Sequence, residues 1–310
     1  MPRRIYTILL LIGIVFSIST IPIFVFSFNP SNNLEVDFLD VGQGDSILIK
    51  TPYGQNILID GGPDNKVIGE LSKSMDWWDR QIDLMILTHP HDDHVTGLVD
   101  VLKRYDVKKI LYTGVVHDTP NYIEWLEIIR DRKISLVIVD RPQQINLGEN
   151  CDLDILYPCE SVLGQEVNNL NNSSIVSMLD CEDKKFLFMG DAEREVEEEL
   201  YLTSQSPLPA YRTGRLIIKG EASASERGEV YLDVDVLKAG HHGSDTSSSE
   251  EFLKMVSPEI VVIQVGEDNF FGHPSRRIIK RLERLNAEIF RNDEVGTVSI
   301  RVLDGELIIK

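Results

Sequence analysis

The chain has 310 residues, of which 42% are hydrophobic and 26% are charged, and its formal net charge is −19. This length allows a large hydrophobic core, and the lack of repeats and low-complexity tracts in the sequence argues against a solenoid. The excess of acidic residues repels polyanions at long range, so a general nucleic-acid-binding surface is not expected, although a local one is compatible with the charge.

The first element in chain order is an apolar run without a charged residue, at residues 5–28. As a helix it would measure about 36 Å, against about 30 Å for the hydrocarbon core of a bilayer. Arg3 and Arg4 precede it, so we expect a single-pass anchor with the rest of the chain outside the cytoplasm. A cleaved signal peptide is the alternative, but signal cores are shorter and no clean A-x-A site is present. Residues 1–33 are therefore expected to form an anchor and linker, and residues 34–310 one folded domain.

Short apolar runs separated by turn signals predict antiparallel hairpins after the linker, and strands alternate with helical patterns further along. The predicted strands lie at residues 34–39, 46–50, 56–59, 83–87, 109–112, 135–139, 153–156, 175–179, 185–188, 234–237 and 259–263, with further short β runs at the end of the chain. The predicted helices lie at residues 67–75, 95–105, 122–132, 193–201 and 275–285. This order predicts an α/β fold with two mixed sheets packed together and helices outside them. Residues 203–230 fit no regular pattern and are expected to form a surface excursion.

The three cysteines are Cys151, Cys159 and Cys181. An odd count is a poor disulfide framework, and no C-x-x-C pair is available for zinc. Two alternatives remain: Cys151 pairs with Cys159 in an oxidising compartment, or the thiols stay unpaired.

The strongest chemical signal is the run from His89 to His94, which follows the apolar strand predicted at residues 83–87. It contains three of the seven histidines of the chain and two aspartates. Imidazole and carboxylate groups are good ligands for zinc, manganese or iron. The run therefore predicts a metal site at the end of this strand.

The side chains of this run are expected to spread around two points in space. Pro90 and the turn after it delay the start of the following helix. His89 and His91 then hold one metal ion, whereas Asp93 and His94 hold a second.

The pattern H-x-H-x-D-H after an apolar strand resembles the signature of the metallo-β-lactamase superfamily. Residues 58–62 are similar to its first motif, in which Asp60 supports the histidine loop rather than binding a metal. Residues 188–191 are similar to the motif whose aspartate, here Asp191, bridges both metal ions, and residues 238–244 are similar to the late histidine motif. The resemblance implies an αββα sandwich and a centre with two divalent metal ions, zinc or manganese.

Three further stretches, at residues 38–46, 171–174 and 272–274, resemble the extracytoplasmic hydrolase domain of the ComEC family of DNA-uptake competence proteins. This resemblance implies a phosphodiester substrate, such as single-stranded DNA outside the membrane. The helix predicted at residues 275–285 carries five basic residues, which either attract a phosphodiester or form a solvated face. The substrate contacts that we expect are Asp40, Gln43, Asp45, Asn171, Ser244 and Arg276. For Asp40 and Asp45, capping of a tight turn is the alternative.

Many superfamily members place another histidine ligand before the motif at residues 188–191, and no histidine of this chain fits that place. Asn172 is expected to act as a metal ligand there, with Asn171 beside it. An amide oxygen is a weaker ligand than imidazole and shifts the preference toward manganese or a loosely held ion. The alternative is an Asn-rich turn before a strand. His117 is expected to be an ordinary surface residue.

The late histidines leave their roles open. His241 and His242 are adjacent, so their side chains diverge; one completes the second metal site and the other contacts substrate or donates a proton. Asp191 is explained by metal binding or as an N-cap of the next helix. His273 precedes Pro274 and either starts a helix or contacts the substrate at the mouth of the site.

These motifs predict a hydrolase in which two metal ions about 3.5–4 Å apart share an activated hydroxide. A histidine protonates the leaving oxygen. The expected catalytic residues are Asp93, Asp191, His241, His242 and His273. Alternatives are a hydrolase of another ester, a lactone, a thioester or a β-lactam, a mononuclear zinc site, and a metal-stabilised binding module without activity. The expected partners are a nucleic-acid substrate and the membrane, and no protein partner is inferable.

Overall fold

The computed structural model describes residues 33–205 and 232–310. The strands are β1 Glu35–Phe38, β2 Ile47–Lys50, β3 Asn56–Ile59, β4 Gln81–Ile82, β5 Leu84–Ile86, β6 Asp106–Val107, β7 Lys109–Tyr112, β8 Ser135–Ile138, β9 Gln143–Gly148, β10 Cys151–Tyr157, β11 Val176–Cys181, β12 Lys184–Phe188, β13 Val236–Lys238, β14 Ile260–Ile263, β15 Glu288–Arg291, β16 Val298–Leu303 and β17 Glu306–Ile309. The helices are α1 Lys66–Ser74, α2 Asp92–Arg104, α3 Pro120–Arg132, α4 Arg194–Gln205, α5 Glu250–Val256, α6 Arg276–Arg284 and α7 Asn292–Val295.

The membrane helix expected at residues 5–28 lies outside the described residues, and so does most of the surface excursion expected at residues 203–230. Within the two described ranges, no helix combines the length and the apolar character that a membrane crossing requires.

Two mixed sheets form the centre of the fold. The first has the order β17-β16-β1-β2-β3-β5-β7-β8, with antiparallel pairs up to β3 and parallel pairs beyond it. The second has the order β15-β14-β13-β12-β11-β10-β9, in which the strands from β12 to β15 run parallel. Parallel neighbours need a crossover connection, and the chain supplies helices for it. The prediction of two mixed sheets with helices is confirmed.

The core has three apolar layers. The middle layer lies between the sheets, where Phe38 and Phe188 pack with ring centroids 6.2 Å apart. A second layer joins the first sheet to α1, α2 and α3 and contains the buried Trp125. A third joins the second sheet to α4, α5 and α6 and contains Phe252. Helices therefore cover the outer face of each sheet, in the order helix, sheet, sheet, helix.

Several boundaries differ from the predictions. Helix α2 begins at Asp92 rather than near Val95, because two carboxylates in its first turn favour a helix N-terminus. Helix α5 and strand β9 were not predicted at all. Ser249 caps α5 by accepting a hydrogen bond from the backbone N–H of Phe252, a cap that a run of serines hides in the sequence.

Neither alternative for the cysteines, a bond between Cys151 and Cys159 or unpaired thiols throughout, is correct. Cys151 forms a disulfide with Cys181, and Cys159 is a free thiol. The two bonded residues are direct partners in the antiparallel pair of β10 and β11. Strand register, which spacing along the chain does not reveal, therefore decides which thiols meet.

Candidate metal centre

The histidine run lies at the carboxyl end of β5. His89 belongs to the loop after this strand, and His91 occupies the N-cap position of α2 with an extended backbone. Asp93 and His94 follow in the first turn of the helix. The carboxyl ends of β12 and β13 bring Asp191 and His242 to the same edge of the sandwich.

Asp93, His94, Asp191 and His242 form a single cluster. One ligand atom from each residue lies within 4.8 Å of the others. Nε2 of His94 and Nε2 of His242 lie 3.4 Å and 3.5 Å from Oδ2 of Asp191, and Nε2 of His242 lies 3.4 Å from Oδ2 of Asp93. The four groups therefore converge on one point.

These ligand atoms fit a cation. Nε2 of His94, Nε2 of His242 and Oδ1 of Asp191 are buried and have no hydrogen-bond partner among the described residues. A buried polar atom without a partner is costly, and a cation at the centre of the cluster would satisfy the two imidazole nitrogens, whereas Oδ1 of Asp191 lies 3.9 Å from Nζ of Lys238. The mixed imidazole and carboxylate set suits zinc, manganese or iron.

The charge distribution favours a positive charge at the same point. Burial lowers the pKa of His242, but Asp191 and Asp45 outweigh it and raise that pKa to about 10. Burial also acts against a charged His94, and again Asp191 and Asp93 hold the pKa well above its ordinary value. An electrostatic field that retains protons on two buried imidazoles would also stabilise a metal cation in place of those protons.

A second pair of imidazoles lies beside this cluster. Nε2 of His89 lies 3.0 Å from Nδ1 of His91 and 3.8 Å from Oδ2 of Asp191. Burial and the neighbouring His94 hold the pKa of His89 well below its usual range, which keeps the ring neutral as a metal ligand requires. Asp191 thus lies between the four-residue cluster and this pair.

Asp60 holds the ring of His94 from behind. Its carboxylate lies 2.8 Å from Nδ1 of His94 and accepts hydrogen bonds from the backbone N–H and the hydroxyl of Thr88 at 2.8 Å and 2.6 Å. Burial raises the pKa of Asp60, and His94 opposes this effect. With Nδ1 occupied in this way, Nε2 of His94 faces the cluster.

Lys238 and Asp45 form a buried ion pair beneath the centre. The exposed fraction of Lys238 is 0% and that of Asp45 is 1%. Nζ of Lys238 also donates to the carbonyl of Gly190 at 2.9 Å, and Oδ1 of Asp45 lies 3.3 Å from Nδ1 of His242. Asp45 is therefore inaccessible to a substrate, contrary to the expected contact. Lys238 was not predicted as a residue of the site, because a lysine at the end of a strand usually reaches solvent.

The turn before Asp45 passes very close to helix α2. Gly44 has φ +150°, and a Cβ at this position would lie 2.2 Å from the carbonyl oxygen of Asp93. Only glycine allows this approach, and the backbone N–H of Asp45 donates to the same oxygen at 3.3 Å. Gly44 therefore allows the turn to place the buried carboxylate of Asp45 next to helix α2.

The structure separates the two adjacent late histidines. Both residues have positive φ, 46° for His241 and 52° for His242, and their ring centroids lie 6.2 Å apart. Nδ1 of His242 donates to the carbonyl of Gln264 at 2.9 Å, which leaves Nε2 for the cluster. Nδ1 of His241 lies 3.0 Å from Oε1 of Glu193, and its Nε2 lies 4.0 Å from Oδ2 of Asp191. His242 thus faces the cluster, and His241 lies at its more exposed side.

The two adjacent asparagines, Asn171 and Asn172, also have different surroundings. The side-chain oxygen of Asn172 accepts from the backbone N–H of Glu193 at 3.0 Å, and its amide nitrogen donates to Glu195. Asn172 is therefore not available as the expected metal ligand. Asn171 lies next to the site instead: its amide nitrogen is 3.3 Å from Nε2 of His241, and its buried oxygen has no hydrogen-bond partner in the described ranges.

The remaining expected substrate contacts have partners elsewhere or stand in solvent. The carboxylate of Asp40 caps its own turn by accepting from the backbone N–H of Gly42, and Gln43 accepts from Gly266. Ser244 is buried and hydrogen-bonded to Thr246, so it does not face solvent. Arg276 is exposed at the start of α6.

Two histidines extend the site further than the cluster. The ring of His273 lies 5.6 Å from that of His241, and burial lowers the pKa of His273. The ring of His117 lies 6.2 Å from that of His91, and its buried Nε2 has no described hydrogen-bond partner. The expectation that His117 is an ordinary surface residue is therefore wrong, because the strand β7 that precedes it lies beside β5.

Comparison with known proteins agrees with this architecture. Residues 39–267 match the metallo-beta-lactamase superfamily. The chain is 26% identical over 294 residues to ComE operon protein 3 of Bacillus subtilis, covering 87% of this chain and 33% of that protein. It is also 26% identical over 281 residues to Recombination protein 2 of Haemophilus influenzae, covering 89% of this chain and 30% of that protein. These curated relatives are competence proteins of the ComEC family, and the chain spans about a third of their length.

Among solved structures, CmlA, a diiron beta-hydroxylase from Streptomyces venezuelae, superposes with a TM-score of 0.51 at 14% identity. The match covers 88% of this chain and 54% of that protein. At this identity the likeness concerns the fold alone.

Proposed function

Since the chain belongs to the metallo-beta-lactamase superfamily, we propose that it is a metal-dependent hydrolase that cleaves phosphodiesters, such as DNA, outside the cytoplasmic membrane. The observation that carries the proposal is the convergence of Asp93, His94, Asp191 and His242 with unpartnered, buried ligand atoms. The substrate class is supported by the relatives, which are named as competence and recombination proteins.

Two metal positions are proposed, with Asp191 shared between them. Asp93, His94 and His242 would hold one ion, and His89 with His91 would hold the other. The unpartnered oxygen of Asn171, rather than that of Asn172, is the amide available at this edge of the site. Zinc and manganese both suit this donor set.

When bound, divalent metal ions would supply Lewis-acid chemistry that lowers the pKa of a water and stabilises negative charge on phosphoryl oxygens. The residues of the chain then orient the reacting groups. His94 and His242 are held rigidly through their Nδ1 atoms by Asp60 and Gln264. Fixed groups need no reorganisation during the reaction, which is the main source of electrostatic catalysis.

His241 is proposed as the general acid. Glu193 lies 3.0 Å from its Nδ1 and orients the ring, while Nε2 lies 4.0 Å from Oδ2 of Asp191. A proton at Nε2 is placed for transfer to a leaving oxygen. The lowered pKa of His273 makes that ring a neutral contact for the substrate rather than the acid.

The extracytoplasmic location belongs to the same proposal. Arg3 and Arg4 before the apolar run at residues 5–28 favour a cytoplasmic amino terminus. The disulfide between Cys151 and Cys181 is of the kind that persists in oxidising compartments.

The test uses the full 310-residue chain loaded with manganese or zinc. We expect cleavage of single-stranded DNA and bis(p-nitrophenyl) phosphate, loss of cleavage in His91→Ala, and two metal ions per chain measured on the same sample. Asp106→Ala, an exposed residue paired with Lys108, is the control and should cleave normally. Activity on a lactone, thioester or β-lactam but on no phosphodiester would replace the proposed substrate class. A metal-loaded chain inactive on all of these would instead be a binding module.

A further inference from the structure

Two adjacent aromatic side chains stand in solvent on the loop that leads to His273. Phe270 is 102% exposed and Phe271 is 71% exposed. Exposed phenylalanines lose the favourable burial of their apolar surface, so an adjacent exposed pair suggests a ligand surface.

One of the two rings, that of Phe271, is connected to the centre through other rings. The ring of Phe271 stacks on that of His273, with centroids 5.9 Å apart and an interplanar angle of 9°. His273 in turn lies 5.6 Å from His241, whose Nε2 is 4.0 Å from Asp191. A group stacked on Phe271 would therefore lie next to a substrate bound at the cluster.

The loop that carries the pair is held in place by hydrogen bonds. The side chain of Asn269 donates to the carbonyls of Gly266 and His273 at 2.9 Å and 2.8 Å and accepts from the backbone N–H of His273 at 2.9 Å. A Cβ on Gly266 would lie 2.6 Å from the backbone nitrogen of Gln43, so the base of the loop packs tightly on that turn. The rings are thus presented on a fixed support.

The charged side chains of the chain give a polyanion little overall attraction here. The chain carries −19, and Glu267 and Asp268 are exposed on the same loop. Three of the basic residues of α6 are already engaged, by Asp245, Ser248 and Glu250. Besides the metal ions of the proposed site, stacking of bases on aromatic rings is a source of attraction that does not depend on charge.

We propose that Phe270 and Phe271 form a stacking platform for the bases of a single-stranded nucleic acid whose phosphodiester lies at the metal cluster. The inference rests on the proposed function and adds how the substrate is held: the bases of an unpaired strand are free to stack on the two rings, whereas those of a duplex are not. Base stacking is sequence-tolerant, since every base has a π face.

The test compares two oligonucleotides of equal length and charge, one with bases and one with abasic nucleotides throughout. Binding is measured by calorimetry on the metal-free full chain in chelator, and cleavage is measured on the metal-loaded chain. We expect the base-bearing strand to bind about 5- to 100-fold more tightly, and this ratio to approach one in Phe270→Ala/Phe271→Ala.

Phe270→Ala alone should lower the ratio without affecting the fold, because that ring is fully exposed. Trp77→Ala is the matched control. Trp77 is 80% exposed. Its loop contacts the start of β3 through Asp79 and Asn56, whereas the centre lies beyond the other end of that strand. The ratio should stay unchanged in Trp77→Ala.

Equal affinity for both oligonucleotides, or a ratio that survives the double substitution, would overturn the stacking platform. Equal cleavage of the base-bearing and the abasic oligonucleotide would also overturn the platform, while leaving the proposed function intact. Absence of cleavage of any phosphodiester would instead count against the proposed function.

Discussion

The carboxylate of Asp60 and Nδ1 of His94 lie 2.8 Å apart, and both side chains are fully buried. These two residues are 34 positions apart in the chain and meet because β3 and β5 are parallel neighbours. The contact fixes the ring whose other nitrogen faces the metal cluster. Support of this kind usually governs metal affinity as strongly as the ligands themselves.

Asp60→Asn is expected to lower metal affinity about 10- to 100-fold without removing a ligand, because the amide no longer fixes the orientation and basicity of His94. Competition with a chelator, followed by metal analysis, measures the change. Asp106→Asn, at an exposed surface pair, serves as the control. Wild-type affinity in Asp60→Asn would show that this contact does not support the centre.

Lys238→Met is expected to reduce the free energy of unfolding by about 3–5 kcal/mol, since it leaves the buried carboxylate of Asp45 without its partner. Urea unfolding of the metal-free chain gives this value. Adding Asp45→Asn should recover much of the loss, a coupling that a double-mutant cycle detects. Lys108→Met, which removes an exposed pair, should cost less than about 1 kcal/mol. Additive losses in the double variant would argue against the ion pair.

His241→Ala and His242→Ala should behave differently although the residues are adjacent. His242→Ala is expected to lose metal, because Nε2 of His242 belongs to the cluster. His241→Ala should retain metal and lose about 10²- to 10⁴-fold in kcat. The loss should be smaller for a substrate with a p-nitrophenolate leaving group, which needs little protonation. Metal content and kcat, measured on both variants, decide the matter; loss of metal in His241→Ala would contradict the assignment.

The metal-free chain should lose stability between about pH 6.5 and pH 10. Asp191 and Asp45 outweigh burial and raise the pKa of His242 to about 10, above the value near 6.5 of an unfolded chain. A raised pKa contributes stability that is complete below the unfolded value and disappears as the pH rises through the folded value. Urea unfolding across this range measures the slope, which should be shallower in His242→Gln. A slope that His242→Gln leaves unchanged would assign the effect to other groups.

Much of the fold could be predicted from local sequence patterns. The strands Asn56–Ile59 and Lys109–Tyr112 have the predicted bounds, because alternation and turn residues act over a few positions. The run from His89 to His94 was also evident, since its ligand types lie within six consecutive residues. Helix α5 and strand β9 were missed where the apolar pattern is short.

What the tertiary structure alone decided are choices between chemically similar neighbours. The contact with Gln264 turns Nε2 of His242 toward the cluster, whereas Glu193 holds Nδ1 of His241. The backbone N–H of Glu193 occupies the side-chain oxygen of Asn172, while Asn171 lies beside His241. Strand register pairs Cys151 with Cys181. Each outcome depends on distances between segments far apart in the chain, which composition and spacing do not contain.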